Sequence, residues 1–155
     1  MRGFQRGPGG SVSAQFDPGD AVLLQSLAGQ VAGLLREAGA EDPAMARLLP
    51  DAYRDDADAS AEFRRFTADG LAGRKVSNAE TVIRSLDEAE DSGRVTLDAP
   101  AAQAWLRSLT DIRLTLAVRL GIERDDQGPA GDTIMQDVYD WLGFIQNSLV
   151  EALEP

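Results

Sequence analysis

Residues 98–121, DAPAAQAWLRSLTDIRLTLAVRLG, form the longest run in the chain whose apolar spacing fits only a helix. At ~100° per residue, Trp105, Leu109, Ile112, Leu116 and Leu120 fall in one stripe, widened by Leu106 and Ala117. Asp98 is placed to cap the N-terminus, Pro100 sits in the first turn where a missing N–H costs nothing, and Gly121 ends the run. Arg113 is the anomaly, because it lands in the middle of the apolar stripe. The rest of the chain reads as packing around this helix.

After it, a polar Gly/Pro loop over 123–131 leads to a helix from Thr133 to Glu154, capped by Asp132. Its buried face is Ile134, Val138, Trp141, Leu142, Ile145, Leu149 and Leu153, which predicts pairing with the central helix, Trp against apolar partner. At the other end, residues 2–6 and 11–16 alternate like strands around Gly7-Pro8-Gly9-Gly10, with Val12, Ala14 and Phe16 on one face. A further strand, Arg94 to Leu97, can join this hairpin. Helices are predicted over residues 20–37, on Leu23, Leu24, Leu27, Val31, Leu34 and Leu35, and over a short segment from Pro43 to Leu49 with Arg47 outward. Residues 59–69 read as a short helix with Phe63 and Phe66 inward. Gly70 and Gly73 loosen the chain before another helix over 71–87, whose start is ambiguous because Ser77-Asn78-Ala79-Glu80 is a capping box. The expected fold is mainly α in the α+β class: a multi-helix bundle with a small two- or three-stranded antiparallel sheet from the N-terminal hairpin and residues 94–97. We expect one domain over 1–155.

Composition narrows the chemistry. The chain holds 26 acidic and 15 basic residues, a net charge of -11 that repels polyanions, so direct binding to nucleic acid is not expected. It contains no Cys and no His, which removes thiol nucleophiles, thiolate metal sites, the commonest general base and the usual pH switch. A mean hydropathy of -0.23 with no long apolar run predicts no membrane association, and the N-terminal MRGFQRGPGG lacks the apolar core of a signal peptide. A cytoplasmic protein is expected.

Three motifs resemble binding sites in part. Gly7-Pro8-Gly9-Gly10 lacks the following Lys-Ser/Thr of a phosphate loop. Asp55, Asp56 and Asp58 read as a solvated acidic turn, with no Gly where a calcium loop bends. The stretch 87–98, DEAEDSGRVTLD, imitates the first positions of an EF-hand, but the closing Glu would fall at Ala99. No metal, no cofactor and no catalytic residues are therefore expected, and the chain is read as a non-enzyme.

The informative residues are charges on apolar faces. Arg113, and Lys75 if its helix begins early, need partners such as Glu62, Asp137 or Asp140. The alternatives are an internal ion pair or a snorkelling side chain on one hand, and a groove in which Arg113 binds an acidic group on the other. Asp111 reads as a surface partner of Arg107 four residues before it. Leu114 and Val118 on the central helix, with Phe144 and Val150 on the last, lie off the main stripes. They form either a partner or homodimer patch or a second core layer beneath the hairpin.

Phe4-Gln5-Arg6, Arg47-Leu48-Leu49-Pro50-Asp51-Ala52-Tyr53, Glu62-Phe63-Arg64, Ala104-Trp105-Leu106, Asp111-Ile112-Arg113-Leu114-Thr115-Leu116 and Tyr139-Asp140-Trp141-Leu142 occur in this order. In them the chain resembles an actinobacterial domain-of-unknown-function family now named after the oxidative-stress transcriptional regulator AosR. The resemblance implies a non-enzymatic regulator that works through a protein partner, an alternative (ECF) sigma factor or RNA polymerase. Members of the family tend to be encoded beside a Clp adaptor and a metallopeptidase, which makes a Clp-associated adaptor the runner-up. A small-ligand binder using a groove around Arg113 is the third reading. Thiol sensing, which the family's redox role would call for, has no cysteine to use in this chain.

Overall fold

The structure, a computed structural model, describes residues 1–37, 42–49, 61–121 and 133–154; of residues 61–69 and 133 it describes the backbone alone. The elements run β1 (Arg2–Arg6), β2 (Val12–Gln15), α1 (Pro18–Glu37), α2 (Pro43–Leu48), α3 (Ala61–Glu88), β3 (Arg94–Leu97), α4 (Ala99–Leu120) and α5 (Thr133–Leu153). The central run of the sequence is α4, and its ends form as its residues dictate. The Asp98 carboxylate accepts from Ala101 N–H at 2.9 Å, and Gly121 closes the helix in the left-handed region at φ 70°.

β1, β2 and β3 form one antiparallel sheet in that order. The period-two pattern holds: Val12, Ala14, Val95 and Leu97 face the core, while Gln15, Arg94 and Thr96 face outward. The inner face lies on α4 through an aromatic cluster. Trp105, fully buried, meets Phe4 edge-on at 5.4 Å between ring centroids and Phe16 at 5.9 Å. Its indole N–H donates to Ser85 Oγ on α3 at 3.2 Å. The Trp of the central helix thus joins the sheet to α3, while α5 pairs with α4 as expected from sequence.

α5 packs on α4 with Leu142, Ile145, Leu149 and Ala152 buried, and it also covers the free edge of β1. Phe4 N–H donates to Ser148 Oγ at 3.0 Å, and Arg6 donates to the Ala152 and Glu154 carbonyls at the end of α5, where a cation suits the helix dipole. Ile134, expected on the buried face, is 76% exposed, since it lies two turns before the stretch of α5 that meets the core. α1 lies along α3, with Gln25 Nε2 on Asp87 at 2.7 Å and Arg36 on Glu80 at 2.8 Å. α2 is tied to α4 by Asp42, which caps α2 through Ala44 N–H and accepts from Arg119 at 3.2 Å. That arginine hydrogen bond holds the Asp42 carboxyl below the usual range.

α3 corrects the sequence reading. The predicted helices over 59–69 and 71–87 are one helix of 28 residues that runs through Gly70 and Gly73. Each glycine costs about 1 kcal/mol against alanine, which is small beside the burial of Ala79, Val82 and Leu86 further along the same helix. The Ser77 capping box is not used as a start; the Ser77 carbonyl instead accepts from Thr81 Oγ1 at 3.1 Å within the helix. The acidic turn at Asp55, Asp56 and Asp58, the Pro50-to-Tyr53 segment and the Asp132 cap lie outside the described residues.

Gly93 is a turn residue whose conformation the sheet requires. It sits at φ +74°, its N–H donates to the Ala89 carbonyl at 2.7 Å, and its carbonyl accepts from Phe16 N–H at 2.7 Å. A Cβ there would lie 2.5 Å from the Phe16 carbonyl oxygen. Gly93→Ala should therefore cost at least about 2 kcal/mol, or roughly 4–8 °C in Tm. Gly29→Ala on α1, where nothing lies within 4 Å of the added carbon, should instead raise stability by about 0.5–1 kcal/mol. Thermal melts of the two variants check the pair; equal shifts would contradict the turn geometry.

Candidate functional site

α4 lies between α3 and α5, and two of its charged residues leave it on different sides. Arg113 is two positions after Asp111, so the two point about 200° apart around the helix. Arg113 is directed to α5 and Asp111 to α3.

Asp111 is not the surface partner of Arg107 that its spacing implied. It is 2% exposed, and its Oδ1 accepts from Lys75 Nζ at 2.6 Å. Lys75 is on an apolar stripe because α3 does begin early, and its side chain is 19% exposed. Among the described residues the partner of Lys75 comes from α4 and not from Asp137 or Asp140; the Glu62 side chain lies outside those described. Burial pushes the Asp111 carboxyl above its ordinary range, and the Lys75 hydrogen bond pulls it back only in part. Among the described residues, Asp111 Oδ2 and Ser108 Oγ, one turn earlier, are buried without a hydrogen-bond partner.

Arg113 is not ion-paired among the described residues. Its guanidinium lies 4.5 Å from the centre of the Tyr139 ring, and Nη1 donates to Gln146 Oε1 at 3.0 Å. Gln146 is itself held, donating to Thr110 Oγ1 at 2.7 Å. The arginine crosses α5 at Gly143, where a Cβ would come within 3.2 Å of Nη2. The expected carboxylate partner Asp140 is engaged elsewhere, accepting from Gln136 at 3.1 Å. Beyond the glycine opens a shallow depression of about 500 Å³ lined by Arg113, Asp140, Phe144, Asn147 and Glu151 among others. It can offer a polar contact to a partner, but it does not enclose a small molecule. The buried Nε of Arg113 has no hydrogen-bond partner.

The four apolar residues singled out as a surface do not form one patch. Phe144 is 50% and Val150 42% exposed, yet six residues apart on α5 they point about 120° from each other. Phe144 lies on the β1 flank, its ring 3.2 Å from where a Gly3 Cβ would sit, and Val150 lies toward Gln146 on the α4 flank. Leu114 and Val118 are half-buried on α4. Between Phe144 and Val150 the outer strip of α5 carries Asp140, Asn147 and Glu151. Among the described residues no group of His, Cys, Asp or Glu is arranged to hold a metal ion, and no helix is long and apolar enough to cross a membrane.

Sequence reading missed Asp111, Tyr139, Gly143 and Gln146. Ala104, Ser108, Asp111 and Thr115 recur at helical spacing as a small and polar stripe. That stripe was the available signal that another helix approaches there.

A family model described as "Domain of unknown function (DUF2017)" matches residues 1–153. The chain belongs to that family. "Putative oxidative stress regulator AosR" of Mycobacterium leprae (strain TN) is 32% identical over 174 aligned residues, taking in 88% of this chain and 79% of the relative. "Oxidative stress regulator AosR" of Mycobacterium tuberculosis (strain ATCC 25618 / H37Rv) is 30% identical over 177 residues, with the same coverage of both chains. The protein of that name from Mycobacterium bovis (strain ATCC BAA-935 / AF2122/97) matches equally. No solved structure matches this DUF2017 chain.

Lys75→Met should destabilise the fold by about 3 kcal/mol in urea unfolding, since it strands a buried carboxylate, and the double variant Lys75→Met/Asp111→Leu should recover most of that. The pH dependence follows from the raised pKa of Asp111. The folded state holds this proton more tightly than the unfolded chain, so the group's contribution is full below the unfolded value of 3.8 and is lost as pH rises through the folded value. The stability of the parent minus that of Asp111→Asn should therefore fall from strongly acid pH towards neutrality. A difference that grows over that range would show that the ion pair outweighs burial.

Proposed function

We propose that this DUF2017 chain is a non-enzymatic regulatory module that contributes to the oxidative-stress response by binding a protein of the transcription machinery, an ECF sigma factor or RNA polymerase. The observation that carries the reading is kinship from end to end: the family model spans residues 1–153, and relatives aligned over 88% of the chain are named as oxidative stress regulators. The surface of α5 supports it. Phe144 stands half-exposed beside Asp140 and Glu151, and α5 carries Asp137, Asp140 and Glu151 with no Lys or Arg. An aromatic anchor on an acidic helix fits a basic protein surface. The net charge of -11 supports action through such a partner and not by direct DNA contact. The trigger in this chain is not a thiol, because it has no cysteine.

The test is direct binding of the purified chain to each ECF sigma factor of its own genome and to core RNA polymerase. One of them should bind with a Kd in roughly the micromolar range or tighter. Phe144→Asp should weaken that complex at least about tenfold with an unchanged melting curve. Duplex DNA should not be retarded at low salt. Failure of every sigma factor and of the polymerase to bind would remove the reading.

A further inference from the structure

Between α3 and α4 lies a cleft of about 380 Å³ whose described lining is Leu71, Arg74, Lys75, Ser77, Asn78 and Arg107. In a chain with a net charge of -11, this lining has three cations and no carboxylate among the described residues. Arg74 and Arg107 are exposed at the rim, and among the described residues neither guanidinium has an ion-pair or hydrogen-bond partner. Lys75 is recessed at the floor, with Asp111 beneath it at 2.6 Å. An ammonium has three donors, so the contact with Asp111 leaves Nζ with donors to spare for the cleft. The buried pair thereby has a second consequence: Asp111 fixes the lysine head below two unengaged arginine forks.

We propose that this cleft binds the phosphate group of a small phosphorylated molecule, with Lys75 holding it from the floor and Arg74 and Arg107 closing on it from the rim. The charge balance selects phosphate. Asp111 cancels one of the three positive charges, and the two that remain match a phosphate monoester, which carries about -1.5 to -2 at neutral pH. A tetrahedral phosphate presents three free oxygens, enough to meet an ammonium and two guanidinium forks together, whereas a carboxylate has two oxygens and one charge. The Ser77 hydroxyl and the Asn78 amide are further polar groups of the lining. A nucleic acid is disfavoured by the charge of the whole chain. No aromatic ring occurs among the described lining residues, so the phosphates are recognised and a nucleobase is not.

The experiment is calorimetric titration of the full chain at low ionic strength with inorganic phosphate, with AMP and, for comparison, with an octaglutamate peptide. Saturable binding of inorganic phosphate and AMP is expected, with similar affinities, because no aromatic ring of the described lining meets a base; a much tighter AMP complex would contradict recognition through the phosphate alone. Arg74→Gln/Arg107→Gln should weaken both at least about tenfold, about 1.4 kcal/mol, without changing the melting temperature of the free protein. Arg74→Lys/Arg107→Lys should retain part of the affinity. Absence of saturable binding, binding of the peptide alone, or full affinity in the double Gln variant would each overturn the proposal. The α5 surface is untouched by these substitutions, so sigma-factor binding and phosphate binding can fail separately.

Discussion

The position of Trp105 is the constraint on which the rest of the packing depends. One indole ring is shared by three parts of the molecule: Phe4 and Phe16 of the hairpin close on its faces and edge, and Ser85 of α3 accepts its N–H. A fully buried indole needs both its apolar contacts and a hydrogen-bond acceptor. The sheet, α3 and α4 must therefore arrive in one relative placement for the ring to be satisfied. Ser85 in turn donates to the Thr81 carbonyl at 2.7 Å, so the acceptor is oriented by its own helix. The Gly93 turn then joins α3 to β3 at the height at which the sheet can lie on the ring.

Once α4 is fixed at Trp105, its other sides are assigned. Leu109, Ile112 and Leu116 continue the core, Asp111 reaches α3 and Arg113 reaches α5. The two charges solve burial differently. Asp111 is neutralised by one lysine at hydrogen-bond distance, the arrangement a low-dielectric interior demands of an ion. Arg113 spreads its charge over the Tyr139 face and the Gln146 amide and uses Gly143 to reach the edge of the bundle. The glycine in α5 thus makes room for a guanidinium where any side chain would crowd it.

The surface follows the same division. The α5 side is acidic with a half-exposed phenylalanine, and the α3–α4 side gathers Arg74 and Arg107 around Lys75. Two surfaces of opposite charge on one small domain allow two different contacts at once.

The sequence alone determined the elements whose signals are local. The α4 run carries its own cap, proline and terminal glycine, the hairpin carries its turn and its period-two pattern, and α1, β3 and α5 follow from apolar spacing; the net charge and the missing Cys and His are composition itself. Tertiary structure decided what local signals leave open. Gly70 and Gly73 read as breaks because propensity is summed over a few residues, while the burial that carries α3 through them comes from Ala79, Val82 and Leu86 against other helices. Asp111 read as a surface residue because its spacing to Arg107 satisfies the helix rule, and only the approach of α3 makes it an interior ion. The partner of Arg113 is an amide and a ring supplied by α5, and side-chain spacing on α4 carries no information about which helix lies opposite. Sequence period fixes the face on which a charge stands; the packing of a second helix fixes what that charge meets.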